Sequence, residues 1–324
     1  MKAIVCEEFA GVEKLQYKEV PDPIAKKGQV VIDVKASGVN FPDGLLVQGL
    51  YQMKPELPFV PGSEVAGVVS EIGEGVPHLK VGQRVIGITQ LGGYAEKVAC
   101  NAMHTMPIPG PIPDDEAAAL VTAHATAHHA LKQRAKIQPG ETLVVTGAAG
   151  GTGLAAVQIG KAMGAKVVAV CSTQEKLDVA KANGADILIN YKEKDLKAEL
   201  KALNDGKGVD VVYECVGGDA FDACSRCMAW NGRLLVIGFA SGEIPKFPVN
   251  LSLVKGYSVV GVFWGSFTAH QPQDFMQNMQ ELVKWYLEGK VKVVIDETFS
   301  LADTDKALTK VMGRGVKGKV ALTP

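Results

Sequence analysis

The sequence predicts an α/β protein in which a doubly wound parallel sheet is inserted into a β-rich domain. Three observations predict it. A glycine-rich turn, "GAAGG", separates the apolar run "TLVVT" from the helix-forming stretch "GLAAVQIGKAMG". From there to "YSVVGVFW", short apolar runs alternate with helical patterns, the signature of parallel strands joined by crossover helices. Before about residue 110 the chain instead carries β-branched runs bounded by glycine and proline, and its last residues, "GKVALTP", read as a strand that can rejoin that first part.

Taken in order, "QVVIDVKASGV", "EVAGVVSEIG", "QRVIGIT" and "YAEKVAC" read as strands of an antiparallel, barrel-like domain. After "PIPGPIP", Asp114 and Asp115 stand where they can cap a helix through "EAAALVTAHATAHHAL". The alternation follows. "TLVVTG", "KVVAVCS", "DILIN", "VDVVYECV", "RLLVIGF" and "YSVVGVFW" are strands. "GLAAVQIGKAMG", "QEKLDVAKANG" (ending in Gly184), "KDLKAELKALN" and "GDAFDACSRCMAW" are helices between them. "DFMQNMQELVKWYLEGK" returns to mixed helix and strand. The expected division places residues 1–120 and 265–324 in the β-rich domain and 121–264 in the nucleotide-binding one.

Composition bounds the function. The chain has 324 residues, too long for one ordinary core and suited to two domains. A net charge of -1 gives no electrostatic pull toward nucleic acid or an anionic membrane. No apolar run approaches the roughly 20 residues that cross a bilayer, and "MKAIVCEEFAG" has no signal-peptide architecture. A cytoplasmic location follows as the expectation. Cys6, Cys100, Cys171 and Cys215 stand singly in apolar context, where a thiol behaves as a small hydrophobe. Cys224 and Cys227 form a C-x-x-C, but no second pair stands at zinc spacing, so helix packing is their reading.

The turn carries the first functional inference. Gly147, Gly150 and Gly153 stand at G-x-x-G-x-x-G between a strand and a helix. A tight turn, a close approach of phosphate to bare backbone, and unpaired N–H groups at a helix N-terminus all meet there. A dinucleotide pyrophosphate is the expected ligand. The tip of the next strand reads Cys171, Ser172, Thr173, with no acid for the ribose hydroxyls. Two hydroxyls and Lys176 suit a 2′-phosphate instead, so NADPH is expected over NADH, with Glu175 close by. Ser172 or Thr173 can also cap the following helix.

With "AAGGTG" behind a strand-rich half that contains "LPFVPGSEVAGVVSEIGEGVPHLKVGQRVIG", the chain resembles the medium-chain dehydrogenase/reductase superfamily. It is most similar to the zinc-free quinone oxidoreductase (zeta-crystallin-like) branch. "GVNFPDGLLVQGLY", "TAHHAL" and "GKVAL" fit that branch, and the similarity runs nearly the whole length. The resemblance implies a Rossmann domain inserted in a GroES-like catalytic domain. The zinc-bearing members of the superfamily carry G-H-E where this chain has Gly62, Ser63 and Glu64. Their upstream cysteine ligand falls at Asn40, and "GITQLGGYAEK" runs through the structural zinc lobe without a cysteine. One carboxylate does not hold zinc, so no metal is expected. His124, His128 and His129 share a helix without a nearby acid and read as packing residues.

Without a Lewis acid, acceptors that delocalise charge themselves are the expected substrates: quinones and α,β-unsaturated carbonyls. Hydrogen-bond donors from the first domain would stabilise the developing oxyanion. Asn40, Asp43 and Tyr51 are the candidates: Asn40 to bond cofactor or substrate, Tyr51 to donate or relay a proton, Asp43 to organise the loop. Solvent can also deliver the proton. Carried over by position from the resemblance, Asn40 and Thr126 would face the nicotinamide, and Gly150, Gly151, Thr152 and Gly153 would hold the pyrophosphate. Ser172, Lys176 and Tyr191 would surround the adenosine phosphate. Gly238, Phe239 and Ala240 lie at the tip of the fifth strand, Val262, Phe263 and Trp264 after the sixth, and Arg314 where the family has a basic residue. The sixth strand, apolar on both faces, would lie at a sheet edge, and a homodimer through that edge is expected.

Two other readings stay open. An enoyl- or acryloyl-thioester reductase would want a basic channel for coenzyme A phosphates, assembled from dispersed lysines. A non-catalytic NADPH-binding structural protein would keep the same glycine loop.

Overall fold

The computed structural model describes residues 1–324, which divide into two compact units, 1–122 with 293–324 and 123–292. The chain begins in the first with β1 (Lys2–Val5), β2 (Gln16–Glu19), β3 (Gln29–Val39), β4 (Glu64–Ile72), β5 (Arg84–Ile88), β6 (Lys97–Asn101) and β7 (Thr105–Pro107). The short helix α1 (Phe41–Val47) follows β3 directly. β3 and β4 pair antiparallel over most of their length, β6 pairs with the first half of β3, and β5 with β7 extends the sheet. Their inward residues, among them Val30, Ile32, Val65, Val85 and Val98, form one buried core. Burial is not confined to that face: consecutive residues of β3 and β4, such as Val30–Ile32 and Glu64–Gly67, are buried on both sides of the sheet.

Helix α2 (Asp114–His129) leads into the second unit, and the division falls inside it. Neither expected aspartate forms the classical cap across its first turn. Asp115 Oδ1 accepts only from the neighbouring Glu116 N–H, and Asp114 is held by the Arg84 guanidinium, 2.5 Å away. Then come β8 (Thr142–Thr146), α3 (Gly151–Ala162), β9 (Lys166–Cys171), α4 (Gln174–Ala182), β10 (Ile187–Asn190), α5 (Leu196–Ala202), β11 (Val209–Glu214), α6 (Gly218–Ser225), β12 (Met228–Val236), α7 (Asn250–Lys255) and β13 (Ser258–Gly261). All six strands are parallel in the order β10-β9-β8-β11-β12-β13. The order reverses between β8 and β11, which is where such sheets bind ligands beyond their carboxyl ends. β8 is buried at every residue, while β13 at the edge is exposed or half-buried throughout. The apolar runs are continuous because helices cover both faces.

Two further helices, α8 (Trp264–His270) and α9 (Pro272–Leu287), also belong to the second unit. The structure therefore divides after residue 292, whereas the sequence reading divided the chain after 264. The physical reason is that α9 packs on the helix entering this unit. Gln133 and Asn278 exchange two amide hydrogen bonds, Glu281 meets His128 and Lys132, and Trp285 lies against the His128 ring. The chain returns to the first unit as β14 (Ile295–Ser300), α10 (Thr304–Met312) and β15 (Lys319–Thr323). β15 pairs antiparallel with β3, Val320 opposite Val39. Cys224 lies in α6 and Cys227 just beyond it, both buried.

Candidate functional site

In the first unit the site residues converge on the N-terminus of α1. Asn40 is its N-cap and forms a capping box with Asp43: the Asn40 N–H donates to Asp43 Oδ2 at 2.9 Å. The Tyr94 hydroxyl donates to the same oxygen at 2.7 Å. Burial pushes the Asp43 carboxyl up to about 6, against the opposing pull of these two donors. The Asn40 amide is engaged at both ends. Its Nδ2 donates to Glu64 Oε1 at 2.8 Å, and its Oδ1 accepts from Lys319 Nζ at 2.5 Å. That ammonium also donates to Glu64 Oε1 at 2.9 Å and to the Val39 carbonyl at 3.0 Å. Glu64 Oε2 accepts the Thr122 N–H at 2.7 Å. Asn40, Asp43, Glu64, Tyr94 and Lys319 are all buried. A buried ion pair holds when its remaining donors and acceptors are also satisfied, and here three oxygens surround one ammonium.

This cluster bears on a metal. Asn40 cannot offer a thiolate, and its carbonyl and the Glu64 carboxylate already bind a resident cation, Lys319. No group of three His, Cys, Asp or Glu side chains is arranged as metal ligands. His128 does acquire an acid that its own segment lacks, Glu281 at 3.0 Å, but Lys132 shares that carboxylate at 2.5 Å. Tyr51 stands apart from the cluster, half-buried against Leu46, Val47 and Phe59. Burial, with the nearby Asp43 charge, pushes its phenol up, so it stays protonated and able to donate at neutral pH. Arg314 lies exposed on the turn after α10 in left-handed backbone, φ 59°.

In the second unit the glycine turn is built as the spacing requires. Gly147 leaves β8 with φ 61°. A Cβ on Gly153 would fall 2.2 Å from the Gly147 carbonyl oxygen, so only glycine lets the turn close on α3. Gly150 differs: its nearest neighbour to a Cβ would be that oxygen at 3.5 Å, which leaves the backbone open. Gly150 is the N-cap of α3 and no side chain caps the helix. The N–H groups of Gly151, Thr152 and Gly153 therefore lack intrahelical acceptors and suit a phosphate anion. The Thr152 hydroxyl is taken: it meets the buried Tyr213 hydroxyl at 2.5 Å and donates to the Ala123 carbonyl at 3.4 Å. Only the main chain of Thr152 is left for a ligand.

Beside the turn, Asn190 pairs in register with Cys171, and the Tyr191 N–H donates to the Cys171 carbonyl. Ser172 and Tyr191 thus leave adjacent strand ends together. Thr173 caps α4 by accepting the Lys176 N–H, which sets Lys176 in that helix's first turn. On the other side, the loop after β12 is laced to the loop after β11. Ile237, Ala240 and Ser241 donate to the carbonyls of Glu214, Cys215 and Val216. Glu214 anchors both, accepting from Thr146 Oγ1 and from the N–H groups of Val216 and Gly217, each at 3.0 Å. Gly238, Phe239 and Ala240 are thereby held at the carboxyl edge, with Val262 beside them through its N–H to the Val236 carbonyl. Phe263 is exposed, whereas Trp264 turns back onto Phe275, ring centroids 6.0 Å apart. Thr126 is half-buried on α2.

Tyr94, Tyr213 and Glu214 carry no local signal in the sequence for the places they take here. Lys319 had one signal, a lysine opening an otherwise apolar strand.

Comparison with known proteins shows the family. The zinc-binding dehydrogenase family model matches residues 151–285, and the alcohol dehydrogenase GroES-like domain matches 26–110. A quinone oxidoreductase-like protein 2 homolog of Nematostella vectensis is 39% identical over 99% of this chain and 88% of its own. A Rattus norvegicus quinone oxidoreductase is 34% identical over 99% and 97%. The crystal structure of Escherichia coli quinone oxidoreductase complexed with NADPH superposes with a TM-score of 0.93 at 30% identity, covering all of both chains.

Proposed function

The chain belongs to the quinone oxidoreductase branch of the medium-chain dehydrogenase/reductase superfamily, and on that premise we propose that it is an NADPH-dependent, metal-independent reductase of quinones and α,β-unsaturated carbonyls. The observation that carries the reading is the pairing of an uncapped, glycine-lined helix N-terminus with a strand tip that bears Ser172 and Thr173 instead of an acid. NADPH, when bound, supplies a hydride to the acceptor. The N–H groups of residues 151–153 hold its pyrophosphate, and Ser172, Lys176 and Tyr191 hold its 2′-phosphate. Gly238–Ala240, Val262, Phe263 and Thr126 border the nicotinamide side, where Gly238 leaves open backbone.

Tyr51 is the donor with a free hydroxyl and a phenol held protonated, so we assign it the hydrogen bond to the acceptor oxygen. Asn40 and Asp43 position the loop that carries Tyr51. Metal independence rests on the Lys319 ammonium, which already neutralises Glu64.

A homodimer forms through β13 in this reading. Val259 is exposed on that edge strand, Trp230 lies against Gly256 at the end of α7, and Leu253 and Val254 of α7 are exposed beside it. No helix is long and apolar enough to cross a membrane, and we place the enzyme in the cytoplasm. An NADPH-oxidation screen across quinones, enals and enoyl thioesters tests the function. We expect turnover with NADPH at least about tenfold above NADH, and a metal content well below one zinc per chain. Absence of turnover with every acceptor leaves the non-catalytic reading standing.

A further inference from the structure

The second unit holds a pocket of about 670 Å³ bounded by the end of α2, the turn Ala130–Ala135 that follows it, the end of β13 and α8. Lys132, Arg134, Lys136, His129 and His270 line it, and no carboxylate does. The acids that face these groups are few. Glu281 meets Lys132 at 2.5 Å and also His128, while burial lowers the His129 imidazole against a small opposing pull from Asp274, so the charges of the pocket are those of Lys132, Arg134 and Lys136. Arg134 and Lys136 have no acidic partner. The Arg134 Nε donates to the Gly261 carbonyl at 2.9 Å, which steadies the guanidinium and leaves both Nη groups for a ligand. Beside these cations stand aromatic faces: Phe263 is 56% exposed, and Phe267 stacks on His129 with centroids 3.8 Å apart.

We infer that this pocket binds a second phosphorylated group, a nucleotide-like moiety that presents at least two phosphate charges next to a flat ring. The guanidinium and ammonium groups match phosphate oxygens, and an exposed phenyl face takes a base by stacking. The cofactor does not supply these phosphates. The inference rests on the proposed NADPH site, whose adenosine phosphate lies at the tips of β9 and β10. The pocket opens at β13, four strands from β9 in the sheet, which is about 19 Å at the usual strand spacing. It adjoins Val262 and Phe263, on the nicotinamide side, where an acceptor enters. Two sources share the chemistry: the carrier end of an enoyl thioester of coenzyme A, or a free nucleotide acting on the enzyme.

Calorimetric titration of the full-length protein with adenosine 3′,5′-bisphosphate, in the presence of saturating NADPH, tests the site itself. We expect saturable binding that NADPH does not displace, and weakening of at least about tenfold in Arg134→Gln with Lys136→Gln. No binding, displacement by NADPH, or equal affinity in the double variant overturns the inference. Comparing kcat/KM for crotonyl-coenzyme A and for the crotonyl thioester of N-acetylcysteamine then separates the sources. A ratio of about ten or more that collapses in the double variant identifies a substrate handle. A ratio near one alongside bisphosphate binding identifies a free nucleotide. The calorimetry needs no turnover, so failure of the reductase reading and failure of this site give different results.

Discussion

The two units treat buried polarity in opposite ways. In the first, every charged group at the start of α1 is answered from within the chain: Lys319 by three oxygens, Glu64 by three donors, Asp43 by Tyr94 and the Asn40 N–H. In the second, the start of α3 is left with unanswered N–H groups, while the side chains around it are tied elsewhere. A closed polar cluster rigidifies, because an unpaired member would cost several kcal/mol. An open helix end costs little in water and gains when an anion arrives. The difference separates scaffold from receptor.

Breaking the closed cluster gives the largest expected effect. Lys319→Met leaves the buried Glu64 carboxyl without its cation, and we expect a loss of about 3–5 kcal/mol by denaturant unfolding. Adding Glu64→Gln should return much of it, which would not happen if Lys319 only filled space. The pH dependence comes next. The Asp43 carboxyl is raised from 3.8 to about 6. Between those values the native state holds a proton that the unfolded chain has lost, so stability falls as pH rises through the window, by up to about 3 kcal/mol. Asp43→Asn keeps an acceptor for Tyr94 and should flatten that slope. His128 in the second unit tilts the other way: burial lowers its imidazole from 6.5 to about 4. Its contribution is present above pH 6.5 and fades as pH drops toward 4, by at most about 1.4 kcal/mol per pH unit.

The open end is sharpened by two glycines. Gly153→Ala drives a methyl into the Gly147 carbonyl and should cost about 1–3 kcal/mol of stability together with NADPH affinity. Gly150→Ala meets nothing closer than 3.5 Å. It should leave the melting temperature nearly unchanged while NADPH affinity drops at least about tenfold, since the methyl stands where phosphate would approach. The smallest effect is expected from Thr152→Val. It strands the buried Tyr213 hydroxyl and should lower stability by about 1 kcal/mol. NADPH affinity should stay within about twofold, because the main chain of residue 152 is untouched. A larger loss of affinity would return the Thr152 hydroxyl to the phosphate.

How far these features could be read beforehand depends on sequence separation. The glycine turn, the cap of α4 and the acid-free tip of β9 each lie within a few residues, and local spacing carries them. Asn40 and Asp43 were picked as candidates, but the partners that occupy Asn40 come from Glu64 and from Lys319, 279 residues away. The end of the second unit, at residue 292 and not 264, is hidden from local spacing for a similar reason. Residues 265–292 look like a fresh segment, and only the side chains of α9 against Gln133, Lys132 and His128 assign them.

By itself the sequence determined the parallel alternation and the glycine turn between β8 and α3, since each depends on residue type at short range. The tertiary structure alone decided that an ammonium fills the space between Asn40 and Glu64, that Thr152 points inward, and that Arg134 and Lys136 share a pocket with Phe263 and Phe267. Those outcomes require strands and helices far apart in the chain to meet. A one-dimensional pattern holds no record of which side chains will lie across a sheet from one another.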